Sequence, residues 1–258
     1  VDSSNITHSR SAQQTFNFNL ISMPNYLLTN DDGIDAPGIA ALQQAIDNCG
    51  TIVAPLNHHS GCGHQVTTHQ PISIVPHQYF HGLDPTIANP HYAIAGTPAD
   101  CTRIAVKYLQ LDVNYVLSGI NAGGNLGVDA YISGTIAAVR EAAILNIPGI
   151  AISQYQKSPH PIDWEISTQL TRHVLDRLIS LPLPSKSFWN VNLPYCANLN
   201  ILPQLVFCEP SCDPLPIDYQ RNGDELIYAG IYRDRSRDPG TDVDVCFNGD
   251  IAITQLKV

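Results

Sequence analysis

The chain repeats one alternation. A short run of aliphatic and β-branched residues gives way to a polar or glycine-rich loop, and then to a segment whose apolar residues fall three and four apart. Tyr26-Leu27-Leu28 is the first apolar run, and it empties into Thr29-Asn30-Asp31-Asp32-Gly33. Ile39, Leu42 and Ile46 then follow helical spacing, and Gly50 stands where a helix would stop. Thr51-Ile52-Val53-Ala54-Pro55 is a second, β-branched strand. A strand, helix and strand in this order predict a parallel pair joined by a right-handed crossover.

The same pattern continues. Residues 72–75 and 92–95 read as strands, separated by a loop over 81–91 rich in Pro, Asn and His. Thr97 is placed to cap a helix that starts at Pro98 and runs to about Leu109. The strand 114–118 opens into Gly119–Gly127, where four glycines in nine residues imply close backbone approach or positive φ. Ser133-Gly134-Thr135 starts the next helix, and 147–153 is a further strand. Asp163 caps a long amphipathic helix with Ile166, Leu170, Val174, Leu178 and Leu181 on one face. A strand over 189–194 follows. Beyond it prolines become frequent, 225–228 and 230–232 suggest a hairpin, and 251–254 reads as a last strand.

These elements predict an α/β fold: a mostly parallel sheet with helices on both faces, plus C-terminal β-hairpin or arm extensions. Three parts are expected. They are a polar N-terminal extension (1–23), an α/β core that binds metal and phosphate (24–194), and a C-terminal β-arm with the last strand (195–258), suited to oligomerisation.

Composition narrows the function. A net charge of −10 argues against a nucleic-acid polymer or an anionic membrane as partner. No apolar run approaches the length of a membrane span, and residues 1–23 lack the basic-then-apolar pattern of a signal peptide. The seven cysteines are irregularly spaced, which fits reduced thiols in a cytoplasmic protein better than a disulfide framework. On that expectation the sequon Asn5-Ile6-Thr7 carries no meaning.

In open α/β sheets, ligands bind beyond the carboxyl ends of the strands. Three such ends converge here. They bring Asp31 and Asp32, the loop with Ser60, and the glycine-rich loop with Asn121 and Asn125. Adjacent carboxylates repel unless a proton or a cation separates them, and an all-oxygen donor set suits Mg²⁺ or Mn²⁺. The helix start at Ser133, Gly134 and Thr135 offers N–H groups and hydroxyls to a phosphate. His64, beside the Ser60 loop, is a candidate to orient a ligand or move a proton. Asp100 and Glu141 read as structural.

These runs resemble the SurE family, the stationary-phase survival nucleotidases. The matching stretches are NDDGIDAPGI, SGCGHQVT, GTPADC, SGINAGGNLG, the SGT helix start, NVNLP and a C-terminal TD followed by GDIAIT, all in family order over about 25–256. The resemblance implies a Rossmann-like core and one divalent metal per subunit, held by Asp31, Asp32, Ser60 and Asn121. It places Asn125 near the substrate phosphate and Ser133, Gly134 and Thr135 around it. It implies hydrolysis of nucleoside 5′-monophosphates by a metal-activated water, with 3′-monophosphates as an open extension and Asp32 assisting as base. It also implies a homodimer or homotetramer with exchanged C-terminal arms.

Two stretches depart from the family pattern. Leu56-Asn57-His58-His59 replaces a polar run containing Arg, and Ile132 stands where a Tyr precedes the SGT. A metal-dependent nucleotide sensor without turnover is therefore the alternative. An aspartyl-phosphate phosphatase is disfavoured, because it needs its second Asp two residues after the first. A dinucleotide oxidoreductase is disfavoured because no helix begins within GINAGGNLG.

Overall fold

The computed structural model describes residues 25–77 and 90–258. The expected N-terminal extension, its sequon and most of the 81–91 loop lie outside the described residues.

Nine strands form one sheet in the order β3-β4-β2-β1-β5-β6-β7-β11-β8. At its centre are β1 (Tyr26–Thr29), β2 (Thr51–Pro55), β5 (Tyr115–Ala122), β6 (Gly149–Gln154) and β7 (Ser187–Leu193). Neighbours among these five run parallel. On one side β4 (His91–Ile94) continues the parallel order and β3 (Ile74–His77) closes the edge antiparallel. On the other, β11 (Ile251–Lys257) lies antiparallel to β7 and parallel to β8 (Leu205–Phe207). The last strand thus completes the main sheet and is longer than the 251–254 run expected.

Successive residues of a strand face opposite sides of the sheet, and each side here buries its own helices. Tyr26 and Leu28 share one core with Ile39 and Leu42 of α1 (Pro37–Ala45) and with Leu170 and Val174 of α4 (Trp164–Leu178). Leu27 and Val116 face the other core, with Cys101 of α2 (Pro98–Arg103) and with Ile136 and Val139 of α3 (Gly134–Ile144). The α/β expectation with helices on both faces is met.

The helix starts follow from their capping residues. Thr97 and Asp100 form a reciprocal capping box with Pro98 in the first turn. Asp163 accepts from the backbone N–H groups of Glu165 and Ile166. The helix begun at Pro98 stays α-helical only to Arg103 and widens into a π-helical turn over Ile104–Tyr108. The C-terminal hairpin differs from the expected pairing. Glu225–Tyr228 (β10) pairs antiparallel with Tyr219–Asn222 (β9), and residues 232–234 form a 3₁₀ turn instead. A short helix, α5 (Asp242–Phe247), precedes β11. Among the described residues no helix is long and apolar enough to cross a membrane.

Candidate active site

The strand order reverses at β1. The chain goes from β1 to β2 on one side, and later returns from β4 through α2 to β5 on the other. The carboxyl ends of β1 and β5 therefore flank the topological switch point, where α/β folds open a crevice. Asp31 and Asp32 follow β1, and Asn121 lies near the end of β5. The Ala122 N–H donates to Asp32 Oδ2 at 3.2 Å, which joins the two strand ends directly.

Asp31 points at the start of α3. Its Oδ1 accepts the Thr135 hydroxyl at 2.6 Å. A Cβ at Gly134 would stand 2.8 Å from the Asp31 Cβ, so only glycine lets the helix start come this close. Ser133 is the N-cap, and its hydroxyl oxygen accepts from Ile136 N–H at 3.1 Å. The N-terminal end of α3, where the helix dipole is positive, thus already faces one carboxylate of the pair.

The loop after β2 closes the third side. The His59 N–H donates to the Asp31 carbonyl at 2.8 Å, and the Gly63 N–H to the Ile132 carbonyl at 3.0 Å. Ser60 lies beside the pair by way of His58. His58 Nε2 is 2.7 Å from Ser60 Oγ and 3.2 Å from Asp32 Oδ1. His58, within the run Leu56–His59, therefore bridges two of the expected ligands.

Asn121 donates its side-chain N–H to the Gly123 carbonyl at 2.8 Å, which fixes the orientation of the amide. Asn125 is placed differently. Its side chain donates to Ser153 Oγ at 2.8 Å, and its backbone N–H donates to Asn192 Oδ1. It is buried in an amide network at the ends of β6 and β7. His64 is held 2.9 Å from Glu141 Oε2, and Arg103 approaches the other Glu141 oxygen at 3.6 Å. Glu141 lies two turns along α3, so the His64 contact ties the loop to the body of that helix. Asp100 serves its helix cap and accepts from Thr67.

Burial raises Asp31 to about 6, with the neighbouring Asp32 charge adding to the rise and the Thr135 hydroxyl opposing it. Among the described residues neither carboxylate pairs with a Lys or Arg; the one recorded ion-pair partner is His58, on Asp32. A buried carboxyl held up by desolvation and a like charge is one that a cation would return to its ionised form. No group of three His, Cys, Asp or Glu side chains suited to a metal occurs among the described residues. The set expected from the sequence, two carboxylates with Ser60 and Asn121, consists instead of oxygen donors, the kind that could hold a hard divalent ion.

Sequence reasoning passed over the residues that hold the glycine-rich loop in place. Asp129 accepts from the Leu126 N–H at 3.0 Å, the Tyr232 hydroxyl at 2.6 Å and Arg235 Nη1 at 2.8 Å. Arg235 also donates to the Leu126 carbonyl. Asp242 accepts from the N–H groups of Gly127 and Ser211. The TD run marked Asp242 in the sequence, but nothing local marked Asp129 and Arg235 as partners 106 residues apart.

The family model described as "Survival protein SurE" matches residues 26–209. A protein of Nostoc sp. named "Putative 5'-nucleotidase alr3139" is 56% identical over 233 residues, spanning 90% of this chain and 99% of its own length. A Paramagnetospirillum magneticum protein named "5'-nucleotidase SurE" is 32% identical over 89% of this chain and 88% of its own. The crystal structure of the Sure protein from Aquifex aeolicus superimposes with a TM-score of 0.73 at 28% identity, covering 91% of this chain and 93% of that one.

Proposed function

The chain belongs to the SurE family, and on that premise we propose that it is a 5′-nucleotidase, hydrolysing nucleoside monophosphates to nucleoside and phosphate. The observation that carries this reading is the meeting of Asp31 and Asp32 with the start of α3 at the switch point of the sheet. Carboxylates for a cation and N–H groups for an anion lie side by side, as phosphoryl transfer to water requires.

Asp31, Asp32, Ser60 and Asn121 would hold one divalent cation, Mg²⁺ or Mn²⁺. When bound, that ion supplies Lewis acidity toward the phosphoryl group and makes water nucleophilic near neutral pH. The Ser133 hydroxyl and the first N–H groups of α3 receive phosphoryl oxygens. Asp32, the more exposed carboxylate of the pair, takes the proton of the attacking water. Thr135 steadies Asp31 and keeps its charge available. Nucleoside 3′-monophosphates present the same group and are admitted as further substrates. The exposed apolar residues of the hairpin, Leu226, Ile227 and Tyr228, support a homodimer or homotetramer built through this arm. The seven free cysteines support a reducing, cytoplasmic setting.

One observation favours the second reading, a metal-dependent nucleotide sensor. His58 bridges Asp32 and Ser60, and a side chain fixed there would compete with the cation. Purified protein incubated with AMP and Mn²⁺, read as inorganic phosphate, separates the two. Turnover supports the nucleotidase. Metal-dependent AMP binding without phosphate release supports the sensor.

A further inference from the structure

His58 puts a nitrogen among the oxygens of the candidate site. Its Nε2 lies 3.2 Å from Asp32 Oδ1 and 2.7 Å from Ser60 Oγ. A ring nitrogen carries either a proton or a lone pair. With the proton it donates toward one of these oxygens. With the lone pair it accepts from the Ser60 hydroxyl and turns electron density toward a carboxylate. In that form Nε2 and Asp32 Oδ1 repel each other unless a cation lies between them, as the two carboxylates do.

The spacing also fits donors that share one ion. Octahedral divalent ions hold their donors at about 2.1 Å, so donors on adjacent vertices stand about 3.0 Å apart. The two distances at His58 bracket that value. The backbone that carries His58 is tied to the Asp turn. The His59 N–H donates to the Asp31 carbonyl at 2.8 Å, and a Cβ at Gly33 would meet the backbone of Asn57 and His58 at 3.8 and 3.9 Å. The His58 side chain is 60% exposed, so the ring can turn toward an ion without disturbing the core.

We propose that His58 selects among metals: its imidazole joins Asp32 and Ser60 on borderline ions such as Ni²⁺, and competes with hard ions such as Mg²⁺ and Mn²⁺ for the same two oxygens. The proposal rests on the reading of Asp31, Asp32, Ser60 and Asn121 as a cation site and adds the preference of that site. Imidazole suits Ni²⁺, whereas carboxylate, carbonyl and water suit Mg²⁺ and Mn²⁺. One side chain therefore acts in opposite senses on the two kinds of ion. The run Leu56–His59, where the chain departs from the family pattern, carries this selectivity.

The test titrates the metal-stripped full chain with Mn²⁺ and with Ni²⁺ by calorimetry, in wild type, His58→Ala, His58→Gln and Asp32→Asn. The ratio of the Mn²⁺ Kd to the Ni²⁺ Kd should fall at least about 10-fold in both His58 variants, since neither replacement offers a ring nitrogen. Mn²⁺ binding itself should tighten a few-fold in His58→Ala. X-ray absorption of the Ni²⁺-loaded wild type should show imidazole scattering that His58→Ala lacks. Asp32→Asn should lose both ions. An unchanged ratio in His58 variants that still bind Mn²⁺ overturns the proposal and leaves the cation site standing. Ni²⁺ held by Asp32→Asn as tightly as by wild type overturns it as well. A wild type that binds neither ion contradicts the cation site itself, and the proposal with it.

Discussion

The Thr135 hydroxyl donates to Asp31 Oδ1 at 2.6 Å across 104 residues of sequence. This bond joins the helix start that would hold phosphate to the strand end that would hold the cation. Thr135→Val removes it and leaves the buried carboxyl facing a methyl group. Hydrogen bonds to charged groups contribute about 1.5–3 kcal/mol, so kcat/KM should fall at least about 10-fold near neutral pH. Because the hydroxyl lowers Asp31, the acid limb of the pH–rate profile should move to higher pH in the variant. Thr135→Ser should restore both. An acid limb that stays in place in Thr135→Val would separate Asp31 from the rate.

Asp31 also sets a pH dependence of stability. Its ordinary value of 3.8 is raised to about 6 in the fold, chiefly by burial. Between these values the folded state holds a proton that the unfolded state has released, so the Asp31 contribution falls as pH rises from about 4 to about 6. Above that window the ionised group costs on the order of 3 kcal/mol in metal-free protein. The metal-free Asp31→Asn variant should gain stability over wild type as pH rises through the window. Adding Mn²⁺ at pH 7.5 should raise the wild-type melting temperature and not that of the variant. Thermal melts of both proteins at pH 4 and pH 7.5, with and without metal, check both statements.

His58 spans Asp32 and Ser60, at 3.2 and 2.7 Å. If it competes with the cation, His58→Ala should lower the Mn²⁺ concentration giving half-maximal phosphate release by a few-fold, with kcat changed little. A higher metal requirement in the variant would instead make His58 a supporting contact. Titration of activity against free Mn²⁺ distinguishes these outcomes.

Local chemistry made much of this legible in advance. Thr97 with Pro98, Ser133 and Asp163 each start a helix where their side chains can cap it. The apolar run at 26–28 ends on the Asp pair because a buried strand must leave the sheet at a polar turn. Other features depended on distant partners. The β9 strand Tyr-Gln-Arg-Asn shows no alternation of apolar residues, and all four of its residues are exposed, so its pairing with β10 left only the Gly223-Asp224 turn as a trace. The contact of His64 with Glu141 spans 77 residues, and that of Asn125 with Ser153 spans 28, so neither orientation is encoded in the loop that bears it.

The Arg235–Asp129 pair is the clearest case of a contact without a sequence signal. Both side chains are buried, with Arg235 1% exposed. Breaking a buried pair by removing one partner costs about 3–5 kcal/mol, because the remaining charge is stranded. Arg235→Ala should therefore lower the melting temperature by on the order of 10 °C. Arg235→Lys should recover only part of the loss, since one ammonium cannot reproduce the two-pronged contact with Asp129 and the Leu126 carbonyl. Calorimetry of both variants checks the ordering.

The central claim is that Asp31 and Asp32 hold a divalent cation through which the protein releases phosphate from nucleotides. The most direct measurement is inorganic phosphate released from AMP by wild type and by Asp32→Asn, after chelation and again after Mn²⁺ or Mg²⁺ is restored. The account predicts that wild type loses activity on chelation and regains it with metal, while Asp32→Asn stays at least about 100-fold lower throughout. Phosphate release that survives chelation, or that Asp32→Asn leaves unchanged, would contradict it.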